Sequence, residues 1–355
     1  MKKIITFPHL GNLKISIKSF LQELGFEMVI PPDNTQKTLD LGVKYSPEHA
    51  CLPLKITLGN FIEALEQGAN VILMAGGIGP CRLGYYAEVQ REILEDLGYD
   101  FKMCSLEPNL KETYHTLRYL GISIPKLIKG LVLTVKKIMA IDEVNKLAAK
   151  TRAREKKEGQ VDRLFNKFLQ ELEETMSICR INKIKNNYYE QIKDCQGEFK
   201  RGLELKIGIV GEIYMVIDSF ANLDLEKRLG QLGAVVEREI YISSWIAHFL
   251  NLANDREMKK YAKPYLDNFV GGHGLHSVGD TVKYSREGFD GVIQVGPFTC
   301  MPEIVARTIL NDVEENEDIS LMTFFMDEQR GEAGFQTRLE AFVDLLIRNK
   351  IADAG

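Results

Sequence analysis

The chain has 355 residues, more than one hydrophobic core usually accommodates, and this length favours two domains. A formal net charge of -5 gives no electrostatic reason to expect a nucleic acid or an anionic membrane as partner. The N-terminal apolar stretch is too short for a secretory signal, and no apolar run reaches the roughly 18 residues of a membrane span. We therefore expect a cytoplasmic protein, in which the six cysteines are buried thiols, nucleophiles or metal ligands rather than disulfides.

Residues 1–125 alternate short apolar strands with helical patterns, beginning with KIITF and NLKISIKSFLQELG and continuing through VILMA and FKMCSL. This alternation predicts a parallel sheet with crossover helices. Gly25, Gly68 and Gly98 each follow a helical run and precede a strand, as expected for glycines at helix C-termini.

Residues 126–205 are rich in Lys and Glu and repeat apolar residues at intervals of three and four, which predicts a helical connector. The strand and helix alternation then returns through LKIGIV, GVIQVG and SLMTFF. The sequence therefore predicts an α/β protein with two Rossmann-like or flavodoxin-like parallel-sheet domains, 1–125 and 206–355, joined by the helical segment.

Three cysteines, Cys51, Cys81 and Cys300, lie in loops that lead into the N-termini of predicted helices. Such loops line the ligand crevice of open parallel sheets, and the amides of a helix N-terminus stabilise a thiolate. Three converging thiolates suit an iron–sulfur cluster at a site between the two domains. The cysteine spacing matches no local cluster signature, so buried structural thiols and a single nucleophilic cysteine remain open as alternatives.

The other three cysteines have a different sequence setting. Cys104 lies in the apolar strand FKMCSL, which predicts a position in the core. Cys179 and Cys195 lie in the helical connector and have no glycine or proline loop around them. We expect all three to be bystanders.

Four residues beside the cysteines are candidates for contact with a cluster or substrate. His49 and Arg82 could donate hydrogen bonds to cluster sulfur or to an anionic substrate. Tyr85 and Tyr86 begin a helix next to Cys81, and we expect one to line a cavity while the other packs.

His273 and His276 stand in the glycine-dense phrase GGHGLHSVGD. The glycines fit either a close backbone approach to a ligand, with the histidines as donors, or the requirements of a turn. The chain contains no GxxxxGK[ST] phosphate loop, and GGIGPCRLG lacks the lysine that such a loop needs, so any ATP is expected to bind another chain.

Several phrases carry a resemblance to a known family, and they extend from about residue 31 to residue 346. They are SPEHACLPLK, GGIGPCRLGYYAEVQ, GIVGEIY, GGHGLHSVG, PFTCMPEIVA and DEQRGEAGFQTRLEAFVDLL. Together they resemble the 2-hydroxyacyl-CoA dehydratase and benzoyl-CoA reductase subunit superfamily, and within it the branch described as acyl-CoA dehydratase activase-related.

The resemblance implies a 4Fe-4S cluster held at the domain interface by Cys51, Cys81 and Cys300, with one iron open to water, a thioester oxygen or another small ligand. It also implies a separate ATPase activator of the actin and sugar-kinase type, which delivers one low-potential electron. The cluster passes this electron to the thioester carbonyl of an acyl-CoA, and the resulting ketyl radical loses its 2-hydroxyl. Relatives pair two similar subunits, so a homodimer or a heteromer is expected.

A related branch holds an eight-iron double-cubane cluster through six cysteines. This chain also has six cysteines, so the larger cluster is the alternative cofactor. The phrase DEQRGEAG has Gln329 where the resembling branch often has His, which weakens a proton-transfer role at that position. Glu328 and Glu332 then remain as carboxylates for acid–base work or for hydrogen bonds around the cluster, with helix capping as the alternative.

These observations lead to one main interpretation and one rival. The main interpretation is an iron–sulfur redox protein of anaerobic metabolism, either a dehydratase-like lyase or a component of an ATP-coupled reductase. The rival is a non-catalytic cluster-binding, assembly or electron-relay subunit of a larger complex.

Overall fold

The structure is a computed structural model that describes residues 2–76, 81–106, 121–249 and 256–353. The chain divides into two compact units, and each is treated by itself. Unit 1 comprises Met1–Ile138 with Met176–Ile178, and unit 2 comprises Met139–Thr175 with Cys179–Gly355. The domain limits given above stay predictions.

Unit 1 contains a four-stranded sheet. Its described elements, in chain order, are β1 (Ile4–Thr6), α1 (Leu13–Leu24), β2 (Glu27–Met28), α2 (Gln36–Tyr45), α3 (Leu52–Glu66), β3 (Val71–Ala75), α4 (Leu83–Asp96) and β4 (Lys102–Leu106). The strand order is β2-β1-β3-β4, and every neighbouring pair is parallel. The first four residues of β3 are buried, as expected for a central strand covered on both faces.

Glycine ends three helices of unit 1, as the sequence predicts. Gly25 has φ +84° and donates its N–H to the carbonyl groups of Leu21 and Gln22 at the end of α1. Gly68 and Gly98, with φ of +94° and +83°, follow the ends of α3 and α4 in the same way. The left-handed conformation closes a helix end at little steric cost only for glycine.

Helices α2 and α3 touch through their backbones. A Cβ on Gly42 would lie 1.7 Å from the carbonyl oxygen of Lys55, and one on Gly59 would lie 1.9 Å from that of Thr38. No other residue type fits at these two positions without moving a helix. The contact fixes the start of α3, which is the part of the helix that follows Cys51.

Unit 2 contains a second four-stranded sheet and the helices around it. Its described elements begin with the second half of α5 (Ile124–Arg152), whose first half belongs to unit 1. They continue with α6 (Gln160–Glu174), α7 (Ile178–Lys193), β5 (Leu205–Gly211), α8 (Ile213–Ile217), α9 (Leu225–Gln231), β6 (Ala234–Arg238), α10 (Ile242–Phe249), α11 (Arg256–Ala262), α12 (Gly274–Arg286), β7 (Gly291–Pro297), α13 (Met301–Glu317), β8 (Ser320–Met326) and α14 (Glu332–Asp353).

The second sheet has the order β6-β5-β7-β8 and is also parallel throughout. Both sheets thus follow the order 2-1-3-4 in their own chain sequence, as in the doubly wound flavodoxin-like arrangement. The prediction of an α/β fold with two parallel-sheet domains is confirmed. In such sheets the ligand crevice lies where the strand order reverses, between β1 and β3 and between β5 and β7.

The segment predicted to be helical contains α5, α6 and α7. Helix α6 buries Val161, Phe165, Phe168 and Leu172, which lie four, three and four residues apart along one face. Among the helices that the structure describes, none combines the length and the apolar character that a bilayer span needs.

Candidate functional site

Two of the predicted ligand cysteines lie at the same end of the first sheet. Cys51 directly precedes α3, and Cys81 stands two residues before α4. The Nη1 of Arg82 donates a hydrogen bond of 2.8 Å to the carbonyl oxygen of His49, which joins the loop before α4 to the loop before α3. Both cysteines therefore lie at the carboxyl end of β3. Most of the glycine-rich phrase before Cys81, residues 77–80, lies outside the described residues.

The two adjacent tyrosines of α4 point to different surroundings. Tyr86 is 6% exposed, and its hydroxyl contacts the Sγ of the buried Cys51. Tyr85 is 71% exposed. One tyrosine is thus packed and the other accessible, and the packed tyrosine is the one that touches a predicted ligand. A cavity lined by Tyr85 stays a prediction.

Lys55 is a feature of this end of unit 1 that we did not predict. It lies one turn into α3 from Cys51 and is only 3% exposed. Its Nζ donates to the carbonyl oxygen of Glu48, 3.2 Å away, in the loop that leads to Cys51. The sequence signal that could have pointed to Lys55 is its position four residues after the cysteine in CLPLK.

Cys300 occupies the equivalent position in unit 2. It directly precedes α13, whose second residue is Pro302, and it follows the end of β7 by three residues. Thr299 has φ +70°, so the backbone turns sharply just before the thiol. Cys300 is partly exposed, and its carbonyl oxygen accepts the N–H of Ile304 at 2.9 Å.

The glycines around His273 and His276 serve packing between two helix starts. A Cβ on Gly274 would lie 2.6 Å from the carbonyl oxygen of Pro302, and one on Gly272 would lie 3.2 Å from the ring of the same proline. His273 directly precedes α12, and the two imidazole centroids are 5.4 Å apart. The structure thus places the histidines on the helix start that packs against the helix start after Cys300.

A buried polar cluster at this end of the second sheet escaped the sequence reasoning. Glu303, in the first turn of α13, is fully buried, and its Oε2 accepts hydrogen bonds of 2.9 Å from Ser277 Oγ and from Gln294 Nε2. Gln294 Nε2 also donates to the carbonyl oxygen of Glu303 at 2.9 Å. The other carboxyl oxygen, Oε1, is buried and has no hydrogen-bond partner among the described residues.

Glu212 belongs to the same cluster. It directly follows β5, its N–H donates to the carbonyl oxygen of Val295 at 3.0 Å, and its carboxylate accepts the N–H of Met215 at 3.0 Å. Burial raises the pKa of Glu212 to about 7. Burial, and to a smaller extent the negative charge of Glu212, raises the pKa of Glu303 to about 7, although its two hydrogen-bond donors act in the opposite direction.

The two carboxylates predicted after β8, Glu328 and Glu332, are not part of this buried cluster. Glu332 is the first residue of α14, and its largely exposed carboxylate is paired with the guanidinium of Arg228. Glu328 stands in the turn that precedes α14, where the Oδ1 of Asp327 accepts the N–H of Gln329 at 2.9 Å. This geometry favours the helix-start role for Glu332.

The remaining cysteines have the surroundings of ordinary thiols. Cys104 is 5% exposed in the core beside β3, which confirms its predicted position, and burial raises its pKa. Cys195 donates its S–H to the carbonyl oxygen of Gln191 at 3.2 Å, and burial raises its pKa as well. Cys179 is exposed on α7.

The donor set suits a cluster by its chemistry, although neither unit by itself contains all three thiols. Within the part of the chain that the structure describes, no group of three or more His, Cys, Asp or Glu side chains is placed to hold a metal ion. Cys51 and Cys81 belong to unit 1 and Cys300 belongs to unit 2. All three precede helices of 14 to 17 residues, whose free amides and dipoles favour thiolates.

The fold and these positions define an α/β protein with two parallel sheets and cysteines at their carboxyl ends. Residues 12–75 match the model of the family described as "CoA enzyme activase uncharacterised domain (DUF2229)". The matched range runs from the start of α1 to the end of β3, so it includes Cys51 but neither Cys81 nor Cys300. The match supports a relationship to the CoA-enzyme activase-related family. No curated protein matches the chain.

Proposed function

We propose that the protein is an iron–sulfur redox protein of the acyl-CoA dehydratase and activase system, in which Cys51, Cys81 and Cys300 together bind one 4Fe-4S cluster. The observation that carries the proposal is the common placement of the three thiols, each at the start of a helix at the carboxyl end of a parallel sheet. A bound cluster supplies one-electron chemistry at low potential, and three protein ligands leave one iron open to a thioester oxygen, water or another small ligand.

The chain's own residues have proposed parts around that site. Tyr86 orients the Sγ of Cys51 through its hydroxyl. Arg82 holds the two cysteine loops of unit 1 together through the carbonyl group of His49, and a second guanidinium nitrogen is proposed to bind an anionic group of the substrate. Tyr85 and His49 are exposed beside it and are proposed to line the substrate path.

In unit 2, His273 and His276 are proposed to donate hydrogen bonds at the helix start that packs against Pro302. Glu328 remains the proposed acid–base carboxylate of the turn after β8. Glu332 is a weaker choice because its carboxylate is already paired with Arg228.

The proposed partner is a separate ATP-dependent activator of the actin and sugar-kinase type, and the proposed reaction is radical dehydration or reduction of an acyl-CoA or a small molecule. The description of the matched family links it to the activation of CoA enzymes, and the sequence contains no phosphate loop of its own. A homodimer or a heteromer with a related subunit, located in the cytoplasm, remains part of the proposal.

A four-iron cluster is favoured over the eight-iron alternative. The larger cluster would need Cys104, Cys179 and Cys195 as thiolates. Burial raises the pKa of both Cys104 and Cys195, so both thiols hold their protons more tightly than free cysteine does. A protonated thiol is a poor iron ligand.

Anaerobic purification tests the cluster directly. We expect brown protein with about four irons per chain. Cys81→Ala and Cys300→Ala should each lose most of this iron, whereas Cys179→Ala, which removes an exposed thiol, should keep it. Iron-free protein after careful anaerobic reconstitution would contradict the proposal.

A second candidate function is a non-catalytic cluster-binding or electron-relay subunit of a larger complex. The description of the family matched by residues 12–75 favours it, because that description names an activase rather than a dehydratase. Turnover separates the two candidates. Reduced protein with its activator, ATP and a panel of 2-hydroxyacyl-CoA thioesters should form enoyl-CoA products. Complete inactivity, together with a stable complex of several chains, would favour the second candidate.

A further inference from the structure

The carboxyl end of the second sheet holds two acidic side chains beside the same strand. Glu212 is anchored to β7 through the carbonyl oxygen of Val295, and Glu303 is anchored to β7 through the side chain of the preceding residue, Gln294. Residues 211 and 295 are direct partners across β5 and β7. Both carboxyl groups therefore lie at the point where the strand order reverses.

The hydrogen bonds of Glu303 indicate that it carries a proton. Its Oε2 accepts two hydrogen bonds, and its buried Oε1 has none from the described residues. An ionised carboxylate with one bare oxygen in a fully buried position is costly, whereas a neutral acid with its proton on Oε1 removes most of that cost. Ser277 and Gln294, the donors to Oε2, are themselves 1% and 0% exposed, so this clamp is rigid.

The charges around Glu303 favour the same state. Glu212 is the neighbour whose negative charge raises the pKa of Glu303. The helix α12 that packs against Glu303 brings neutral Ser277, with His273, His276 and Asp280 on the same helix, and β7 brings the neutral amide of Gln294. The negative charge of an ionised Glu212 therefore opposes the ionisation of Glu303.

We propose that Glu212 and Glu303 form an electrostatically coupled acid–base pair that serves a ligand bound at the carboxyl end of β5 and β7, the ligand being a compound with a carbonyl or hydroxyl oxygen that accepts a proton. Glu303 is a positioning residue that keeps its own proton and so adds no negative charge beside Glu212. Glu212 is partly exposed, and it passes its proton to the ligand oxygen and recovers one from solvent. In each transfer one O–H bond breaks and one forms.

The use of this proton in catalysis rests on the proposed function, because dehydration of a 2-hydroxyacyl compound requires a proton on the departing oxygen. The existence of the pair does not depend on the cluster. Its protonation can be measured in the full-length protein with or without bound iron, which separates the two claims.

Infrared spectroscopy with ¹³C-carboxyl glutamate tests the pair. In the wild type we expect the band of a protonated carboxylic acid, lost with a midpoint of about pH 7. Glu303→Gln should remove the part of this band that belongs to Glu303 and leave the part that belongs to Glu212, whose pKa is also about 7. Glu315→Gln, the same change at an exposed position of α13, should leave the whole band unchanged. Glu212→Gln should keep the Glu303 part and move its midpoint to lower pH, because the charge that raises the pKa of Glu303 is gone.

A wild-type acid band that is already absent above about pH 5, where ordinary glutamates have ionised, would overturn the proposal. So would a band of undiminished intensity in Glu303→Gln. If Glu303→Gln does not fold, the midpoint in Glu212→Gln decides alone, and an unchanged midpoint would overturn the pair. If the band behaves as expected and no CoA thioester is turned over, the pair stands and the proposed function fails. In a protein that does turn over, Glu212→Gln should lower kcat by about 100-fold or more.

Discussion

Both sheets have the same strand order, but the loops at their carboxyl ends use different polar groups. In unit 1, His9 is 3% exposed, its Nε2 lies 2.6 Å from the carbonyl oxygens of Pro31 and Pro32, and its N–H reaches Asn60 at 3.1 Å. In unit 2, the equivalent end holds Glu303, with one carboxyl oxygen that has no partner among the described residues. These groups of unit 1 are paired through hydrogen bonds, whereas the end of unit 2 contains acids.

This difference teaches that a shared topology fixes where a site lies without fixing what it does. The end of unit 1 holds two thiols, and its hydrogen bonds fasten the loops that carry them. The end of unit 2 holds one thiol and two acids. The proposed division into one end that anchors ligands and one that supplies protons rests on these side chains and not on the strand order.

The largest expected effect on stability comes from a substitution that disrupts the tight packing at the end of unit 2. Gly211 has φ +141°, and a Cβ there would lie 1.8 Å from the carbonyl oxygen of Val295. Gly211→Ala should lower the free energy of unfolding by about 2–4 kcal/mol or more. Urea unfolding followed by fluorescence of Trp245, the single tryptophan and a residue of unit 2, measures it.

The matched control for that substitution is Gly288→Ala. Gly288 has φ +73° and nothing within 4 Å of the added Cβ, so its cost should be only the roughly 1–2 kcal/mol of the left-handed backbone. Equal losses in the two variants would show that the close approach of β5 and β7 is not what Gly211 provides.

The next effect is a dependence of the free energy of unfolding on pH, which arises from Glu303 in unit 2. The pKa of Glu303 is about 7 in the folded protein against an ordinary value of 4.5, so folding favours its protonated form. The resulting stability is fully present below about pH 4.5 and is lost as pH rises to about 7, a change of up to about 3 kcal/mol. Trp245 fluorescence in urea at a series of pH values measures this slope, and Glu303→Gln should reduce it to the part contributed by Glu212, whose pKa is also about 7. A slope that Glu303→Gln leaves unchanged would assign the pH dependence to other groups.

A smaller effect on stability is expected from the hydrogen bonds around His9 in unit 1. Asn60 accepts the N–H of His9 and donates to Asn34 at 2.8 Å. Asn60→Ala leaves the buried N–H of His9 without this acceptor and should cost about 1–3 kcal/mol. Hydrogen exchange of the peptide that contains His9 should speed up accordingly, while Gln22→Ala, at an exposed position of α1, should not change it. Unchanged exchange in Asn60→Ala would mean that this network does not fasten the loop after β1.

The smallest effect concerns the contact between Tyr86 and Cys51. Tyr86→Phe removes one hydroxyl from a buried pair and should lower the free energy of unfolding by about 0.5–1.5 kcal/mol. Tyr85→Phe removes the same atom from an exposed ring and should cost less than about 0.5 kcal/mol. Urea unfolding followed by circular dichroism compares the two, and equal costs would contradict a stabilising contact with Cys51.

The fold was accessible from the sequence because its signals are local. A few neighbouring residues are enough to recognise apolar runs such as VILMA and GVIQVG, glycines at helix ends and cysteines just before helices. The structure places Cys51 and Cys300 directly before α3 and α13, as that pattern predicts.

The pair of Glu212 and Glu303 could not be predicted from the sequence, and the reason is physical. Glu212 and Glu303 stand in GIVGEIY and PFTCMPEIVA, where a glutamate in the first helical turn is ordinarily an exposed group near the helix dipole. Glu303 is buried because α12 packs against α13 through Gly274, a contact between residues 28 positions apart in the chain. The pairing of Glu332 with Arg228 joins residues 104 positions apart in the chain, so the sequence left the role of Glu332 open.

The most direct measurement of the central claim is a crystal structure of the anaerobically prepared protein with its iron retained. The account predicts that the sulfur atoms of Cys51, Cys81 and Cys300 ligate three irons of one cluster, with the fourth iron free of protein thiolates. Three sulfurs that lie far apart, each packed among apolar side chains, would contradict it.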